Sequence, residues 1–334
     1  MAASPPTRPE VRADGVTFRL ADHGYESVLL QQELQRPRTG PALARRDGTW
    51  ELVYPRPPVD RMEYRFEADG ASLLDPGNPL RVPGAFGERS VVEFPEYAPP
   101  VWLGASDPGA AVPVGEGARL WAPPDADPEE PLPLLAVHDG TEAERIGGLT
   151  RLVGHALGER ALPPLRVLLL DSPRRDEDYS ASARYARRLA ALFPRVAPTT
   201  RLVGMGASLG ALAMLHVHRV GGVPFRALYL QSGSYFRMRT DRGEGGFPRF
   251  GRIARFVGTV LRAAPAARPI AITLTCGAPE ENLPNNRAVA AALRRQGHDV
   301  AFVVNRDAHN PTAWRDTWDP HLVALLAGAL EWGA

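Results

Sequence analysis

The run Gly204-Met205-Gly206-Ala207-Ser208-Leu209-Gly210 decides how this chain is read. An apolar lead-in, Arg201-Leu202-Val203, predicts a buried strand, and Ala211-Leu212-Ala213-Met214-Leu215, rich in strong helix formers, predicts a helix. Between them, Gly206-Ala207-Ser208-Leu209-Gly210 has the G-x-S-x-G spacing of a sharp strand-to-helix turn. The two glycines keep Cβ atoms out of a crowded approach, and the serine occupies the strained apex. That geometry lifts the Ser208 hydroxyl clear of the sheet. The N–H of Leu209 and the helix N-terminus lie beside it, placed to receive a developing oxyanion.

Read as the nucleophile elbow of an α/β-hydrolase, the motif requires an acid and then a base later in the chain, each just past a strand. Eight histidines are available. His216 and His218 sit two apart on one helix and face different ways, His298 precedes a strand, His321 begins a helix, and His23 is remote. His309 directly follows the last strand, in Asn305-Arg306-Asp307-Ala308-His309-Asn310, and is the expected base. The turn after the preceding strand, Thr275-Cys276-Gly277-Ala278-Pro279-Glu280-Glu281-Asn282, offers Glu280 as the acid, with Glu281 as the alternative. The second oxyanion donor is expected in His138-Asp139-Gly140-Thr141, from the N–H of Gly140 or Thr141.

The rest of the chain bounds this reading. Its 334 residues allow two domains. A net charge of +1 gives no overall field that would recruit nucleic acid or a membrane surface. One cysteine, Cys276, excludes an internal disulfide framework and any multi-cysteine metal site, and the serine-hydrolase reading calls for neither metal nor cofactor. No secretory signal and no membrane-length apolar run are legible, and the expectation is a cytoplasmic protein.

Residues 1 to about 12 read as a frayed leader. Short runs at 16–20, 27–31, 50–54 and 63–67, punctuated by Asp47-Gly48 and Asp69-Gly70, predict a small β-sandwich. The expected organisation is a sandwich over residues 1–103, a linker over 104–117, and an α/β domain over 118–334. In the α/β domain 118–122 would be an edge strand. Apolar runs at 132–138, 167–171, 226–230, 270–274 and 300–305 alternate with helical stretches at 145–158, 181–193, 286–296 and 321–332. That alternation predicts a mostly parallel sheet covered on both faces.

Several motifs give these parts a family resemblance. Asp47-Gly48-Thr49-Trp50, Tyr64 to Gly70, and Asp75-Pro76-Gly77-Asn78-Pro79 resemble early-set immunoglobulin-like domains, some of which bind glycans. Segment 132–331 resembles the putative esterase family that includes enterochelin esterases and, more distantly, mycolyltransferases. The matching runs are Val137-His138-Asp139-Gly140, Asp176-Glu177-Asp178-Tyr179-Ser180, Gly206 to Gly210 and Gln231-Ser232-Gly233-Ser234-Tyr235. Beyond these lie G-x-x-E-E-N-x-x-x-N at 277–286 and H-x-x-x-x-W-R at 309–315. Asn310 stands where many relatives carry aspartate.

The resemblance implies a serine carboxylic-ester hydrolase with Ser208, His309 and Glu280 as its triad. Its substrate would be a small-molecule ester such as a ferric catecholate siderophore trilactone. The segment from Phe236 to Arg262 then supplies candidate substrate contacts, with Arg237, Arg239 and Arg242 drawing in anionic charge and Phe247, Phe250 and Phe256 stacking on rings. Trp314 joins them through the last motif. Two other functions remain open: acyl transfer of the mycolyltransferase type, and a non-catalytic glycan-binding protein.

Overall fold

The computed structural model describes residues 8–34, 38–84, 87–106, 108–115, 117–197, 199 and 201–330. They form two compact units. The first comprises the described residues up to Ala98 together with Gly277–Glu281 and Asn305–Ala313; the second holds the remainder.

The first unit contains β1 (Glu10–Arg12), β2 (Gly15–Ala21), β3 (Val28–Gln32), β4 (Thr39–Ala42), β5 (Ala44–Arg46), β6 (Thr49–Pro55), β7 (Arg61–Ala68), β8 (Ala71–Leu73), β9 (Arg81–Val82) and β10 (Arg89–Glu93). They make two antiparallel sheets, β1-β2-β6-β5 and β4-β3-β7-β10-β9, with β8 on β7. Alternation places Phe18 on β2 and Met62, Tyr64 and Phe66 on β7 inward. Both sheets contribute to one core, as a sandwich requires. Residues 10–12, expected to fray, instead pair with β2 through Val11 opposite Val16, and the first seven residues of that leader lie outside the described ones.

Trp50, Tyr64 and Phe66 are 7, 0 and 0% exposed, so these aromatics are core and offer no sugar-stacking platform. The Asp75-to-Pro79 motif is likewise internal. Tyr64 Oη donates to Asp75 Oδ2 at 2.5 Å, and Asn78 Nδ2 donates to Tyr64 Oη at 3.1 Å and to the Val91 carbonyl at 2.7 Å.

The second unit runs β11 (Val112–Gly115), β12 (Ala118–Trp121), β13 (Leu134–His138), α1 (Gly140–Arg145), α2 (Leu149–Gly158), β14 (Arg166–Leu170), α3 (Arg175–Tyr179), α4 (Ala183–Val196), β15 (Leu202–Ala207), α5 (Leu209–Val220), β16 (Phe225–Gln231), α6 (Phe250–Arg262), β17 (Ala271–Gly277), α7 (Leu283–Arg295), β18 (Asp299–Asn305), α8 (Pro311–Arg315) and α9 (Val323–Leu330). Its eight strands are ordered β11-β12-β14-β13-β15-β16-β17-β18. Pairings from β14 through β13, β15 and β16 to β17 are parallel, and β11 and β12 are antiparallel additions.

Both faces are buried. Leu134, Ala136, Leu168 and Leu170 pack into a core with α4, α5, α6 and α7, while Leu135, Val137, Val167 and Leu169 pack into another with α2 and α9. This is the expected α/β-hydrolase arrangement, a mostly parallel sheet with helices on each side. Among the described residues, no helix is long and apolar enough to cross a membrane.

Three boundaries differ from expectation. Residues 112–115, read as linker, form the edge strand β11, so 118–121 is second in the sheet. Pro113 suits an edge, where a missing N–H costs no ladder bond. The helix expected over 145–158 is two helices, because Gly148 adopts φ 72° and a Cβ on Gly147 would lie 2.2 Å from the Trp318 ring. The closing helix spans 323–330, and the residues beyond it lie outside the described ones.

The Phe18 ring is fully buried, with its centroid 4.6 Å from that of Tyr64 and 6.4 Å from those of Tyr54 and Phe66. Phe18→Ala should therefore destabilise the sandwich by about 3–5 kcal/mol, read as a lower denaturation midpoint at unchanged slope.

Candidate active site

Ser208 caps β15 and leads into α5 with φ 54° and ψ −121°, a backbone state that a residue with a side chain reaches only under constraint. Its neighbours supply that constraint. A Cβ on Gly206 would lie 2.5 Å from the Gly210 carbonyl group, so strand and helix meet at a distance only glycine permits. Ser208 N donates to the Gln231 carbonyl at 2.8 Å, and its own carbonyl accepts from Ser234 N at 3.1 Å. The half-buried hydroxyl lies 3.0 Å from Ser234 Oγ.

Ser234 belongs to the loop that leaves β16, and two asparagines hold that loop. Asn282 Nδ2 donates to the Ser232 carbonyl at 2.9 Å. Asn286 Oδ1 accepts from Gly233 N at 2.9 Å while its Nδ2 donates to the Gly233 carbonyl at 3.0 Å. Spaced four apart at the start of α7, they present their amides on one side of the helix. The N-x-x-x-N part of the motif at 277–286 thus serves the serine loop, a role that spacing alone did not reveal. Trp314, expected to contact substrate, donates its indole N–H to Ser232 Oγ at 3.0 Å.

The turn after β13 borders the elbow from another side. His138 is buried, with Nδ1 2.9 Å from the Gly210 carbonyl, and burial lowers its pKa to about 4, so the ring is neutral and donates from Nδ1. Asp139 takes a left-handed backbone (φ 54°), and Arg175 grips its carboxylate with two bonds of 2.8 Å. Two amides here are engaged: Asp139 N donates to Tyr179 Oη at 3.3 Å, and Thr141 N to Asp171 Oδ1 at 3.0 Å. Between them, buried Gly140 opens α1. A Cβ there would fall 2.6 Å from Leu169 Cβ.

In the first unit, the loops that follow β17 and β18 meet. His309 Nδ1 lies 2.7 Å from Glu280 Oε2, and the other carboxylate oxygen accepts from Gly277 N at 2.7 Å. With both oxygens committed, the Glu280 carboxylate is fixed, and it accepts from the ring at Nδ1. The Glu280 side chain is 2% exposed; the Glu281 side chain is 50% exposed and lies 3.9 Å from Arg38 Nη2. A Cβ on Gly277 would sit 2.1 Å from the Asp307 carbonyl, so the approach of the two loops requires glycine.

The arginine-rich segment is divided in use. Arg249, which precedes α6, and Arg252 on α6 bind the Glu177 carboxylate and are structural. Arg237 is half-buried and Arg239 exposed, and neither side chain has a carboxylate partner among the described residues. The side chain of Arg242 lies outside the described residues. The phenylalanines are not an open platform: Phe256 is buried against His216, and Phe247 and Phe250 pack on Phe236.

No family model matches the chain, and no curated protein sequence does. Solved structures do. The enterobactin esterase of Shigella flexneri, crystallised in the presence of enterobactin, aligns over 96% of each chain at TM-score 0.75 and 19% identity. The ferric enterobactin esterase of Salmonella typhimurium aligns over 97% of each at TM-score 0.75 and 19% identity. A feruloyl esterase module from Clostridium thermocellum aligns over 71% of this chain and 95% of its own at TM-score 0.50 and 14% identity. The expected resemblance is thus borne out in the fold, across both units. All three of these neighbours are named as carboxylic-ester hydrolases.

The neutral His138 makes acid stability a direct readout of the turn beside the elbow. Its folded pKa is near 4 and its ordinary value 6.5, so below pH 6.5 the unfolded chain takes up a proton that the folded chain refuses. This contribution is fully present above pH 6.5 and is lost as pH falls towards 4. His138→Gln, which can still donate to the Gly210 carbonyl, should remove one proton from that dependence. The slope should shrink by about 1.4 kcal/mol per pH unit between roughly 4.5 and 6, measured by denaturant melts.

Proposed function

We propose that this chain is a serine carboxylic-ester hydrolase in which Ser208 is the nucleophile, His309 the base and Glu280 the acid. The observation that carries the reading is a serine forced to φ 54° at a strand-to-helix kink, together with a histidine anchored through Nδ1 to a buried carboxylate. The three lie on connections that leave β15, β17 and β18, in the chain order of the hydrolase fold.

In this mechanism the Ser208 hydroxyl attacks the ester carbonyl and its proton passes to His309 Nε2. Glu280 keeps the imidazole in the required tautomer and stabilises the imidazolium that forms. The oxyanion is received by Leu209 N–H at the start of α5 and by Gly140 N–H, since the Asp139 and Thr141 amides are already engaged. His309 returns its proton to the departing alcohol, and water then cleaves the acyl-enzyme by the same route. No step calls on a metal or cofactor.

The substrate class we propose is an anionic small-molecule ester of the catecholate siderophore type, handled in the cytoplasm. Two observations support it: neighbours of this fold were crystallised in the presence of enterobactin and of dihydroxybenzoyl-serine, and the side chains of Arg237 and Arg239 form no ion pair among the described residues.

An active-site fluorophosphonate should label Ser208 and nothing in Ser208→Ala, by peptide mass mapping. Hydrolysis of a nitrophenyl ester should fall on the order of 10⁴-fold in Ser208→Ala and His309→Ala, and by 10²–10⁴-fold in Glu280→Gln, with KM little changed. Glu281→Gln should stay within about threefold of wild type. A wild-type chain that resists the label would sink the assignment, and ester products appearing on an added alcohol would favour acyl transfer.

Replacing Arg237 and Arg239 by glutamine should raise KM for ferric or metal-free enterobactin by roughly tenfold while leaving a neutral nitrophenyl ester unaffected. Equal effects on both would end the anionic-substrate proposal.

A further inference from the structure

On β7, residues 62, 64, 66 and 68 face the sandwich core, which leaves Arg61 and Glu63 on the opposite side of the strand. That side would ordinarily face water. Instead Arg61 is 1% and Glu63 6% exposed. Arg61 Nη2 donates to Glu63 Oε1 at 2.9 Å, and Nη1 donates to Asp307 Oδ2 and to Asn310 Oδ1, each at 3.2 Å. Asp307 Oδ1 in turn accepts from Ala308 N at 2.7 Å and Asn310 Nδ2 at 3.3 Å, and Asn310 Oδ1 accepts from Ala313 N at 2.8 Å. One residue earlier, Asp60 N donates to the Arg306 carbonyl at 2.8 Å.

The guanidinium therefore grips the two residues that bracket His309 in the chain. Such a cluster is a poor way to add stability. Two buried carboxylates share one cation, burial raises both their pKa values against its pull, and apolar side chains would fill the space at lower cost. What the charges do supply is direction, since a planar fork fixes the loop that touches it at two points.

We propose that Arg61 is a positioning residue for the catalytic base, holding the 307–310 loop so that the His309 ring stays on Glu280 and presents Nε2 to the reaction. This rests on the reading of His309 as the base. Arg61 itself touches neither substrate nor the reacting atoms. The sandwich is on this account a working part of the catalyst, because its strand β7 carries the residue that sets the base.

The full chain carrying Arg61→Gln, Asp307→Asn or Glu63→Gln distinguishes positioning from general support. Two readouts are needed: kcat and KM on a nitrophenyl ester, and the downfield Nδ1 proton resonance that the His309–Glu280 bond produces. Arg61→Gln and Asp307→Asn should lower kcat by about 10–100-fold at a KM within twofold, and broaden or abolish that resonance. Glu63→Gln leaves both Nη1 contacts in place and should keep both readouts. A folded Arg61→Gln with wild-type kcat and an intact resonance overturns the proposal, as does a Glu63→Gln that loses as much as Asp307→Asn. Should Arg61→Gln not fold, the comparison of Asp307→Asn with Glu63→Gln still decides. If the wild type neither hydrolyses an ester nor takes the fluorophosphonate, it is the esterase reading that fails, and the resonance alone decides whether Arg61 sets the histidine.

Discussion

A serine held at φ 54° between a parallel strand and a helix is the constraint on which the rest of this structure depends. The state is costly for any residue with a Cβ, and it persists only because surrounding bonds over-determine it. The Gln231 carbonyl takes the Ser208 amide, Ser234 N takes its carbonyl, Gly206 lets strand and helix approach within a distance no Cβ tolerates, and a Cβ on Gly210 would press on His138 Cβ at 3.1 Å. Each of these sends a requirement outward. The loop after β16 must be fixed, and Asn282 and Asn286 fix it; the turn after β13 must close on the elbow, and neutral His138 closes it through the Gly210 carbonyl.

Much of this was legible in the sequence because the signals are local. Gly206-Ala207-Ser208-Leu209-Gly210 carries its own geometry, and the apolar runs from 134 to 137 and from 167 to 170 are buried on both faces, so their composition alone marks a covered parallel sheet. Glu280 and Glu281 could not be separated by position, since both follow the same strand. What separates them is a backbone amide, Gly277 N, which captures one oxygen of Glu280 and leaves the other for His309. Hydrogen bonds from the main chain leave no trace in side-chain spacing.

Pairings distant in sequence were harder to read. The arginines between 237 and 262 look alike on the page, yet Arg249 and Arg252 are spent on Glu177, more than seventy residues earlier, while Arg237 and Arg239 are not. Phe256 similarly resembles an exposed aromatic until α6 packs and buries it against His216. Residues 112–115 read as linker because Pro and Gly dominate their surroundings, and an edge strand tolerates that composition where a central one would not.

The polar side of β7 shows the limit most clearly. Alternation of Arg61, Glu63 and Arg65 with Met62, Tyr64 and Phe66 is the signature of a strand with one wet face, and period-2 reasoning assigns Arg61 and Glu63 to solvent. The structure seals them beneath residues 305–313 instead, and a charge on a covered face must then be paired or neutralised. Asp307 and Asn310 provide the pairing from a loop nearly 250 residues away. Hydrophobic patterning reports which face of a strand meets the core of its own sheet and says nothing about what later chain will cover the other. It is there that a buried ion cluster can be built, and where the contacts that orient a histidine escape any reading of the sequence alone.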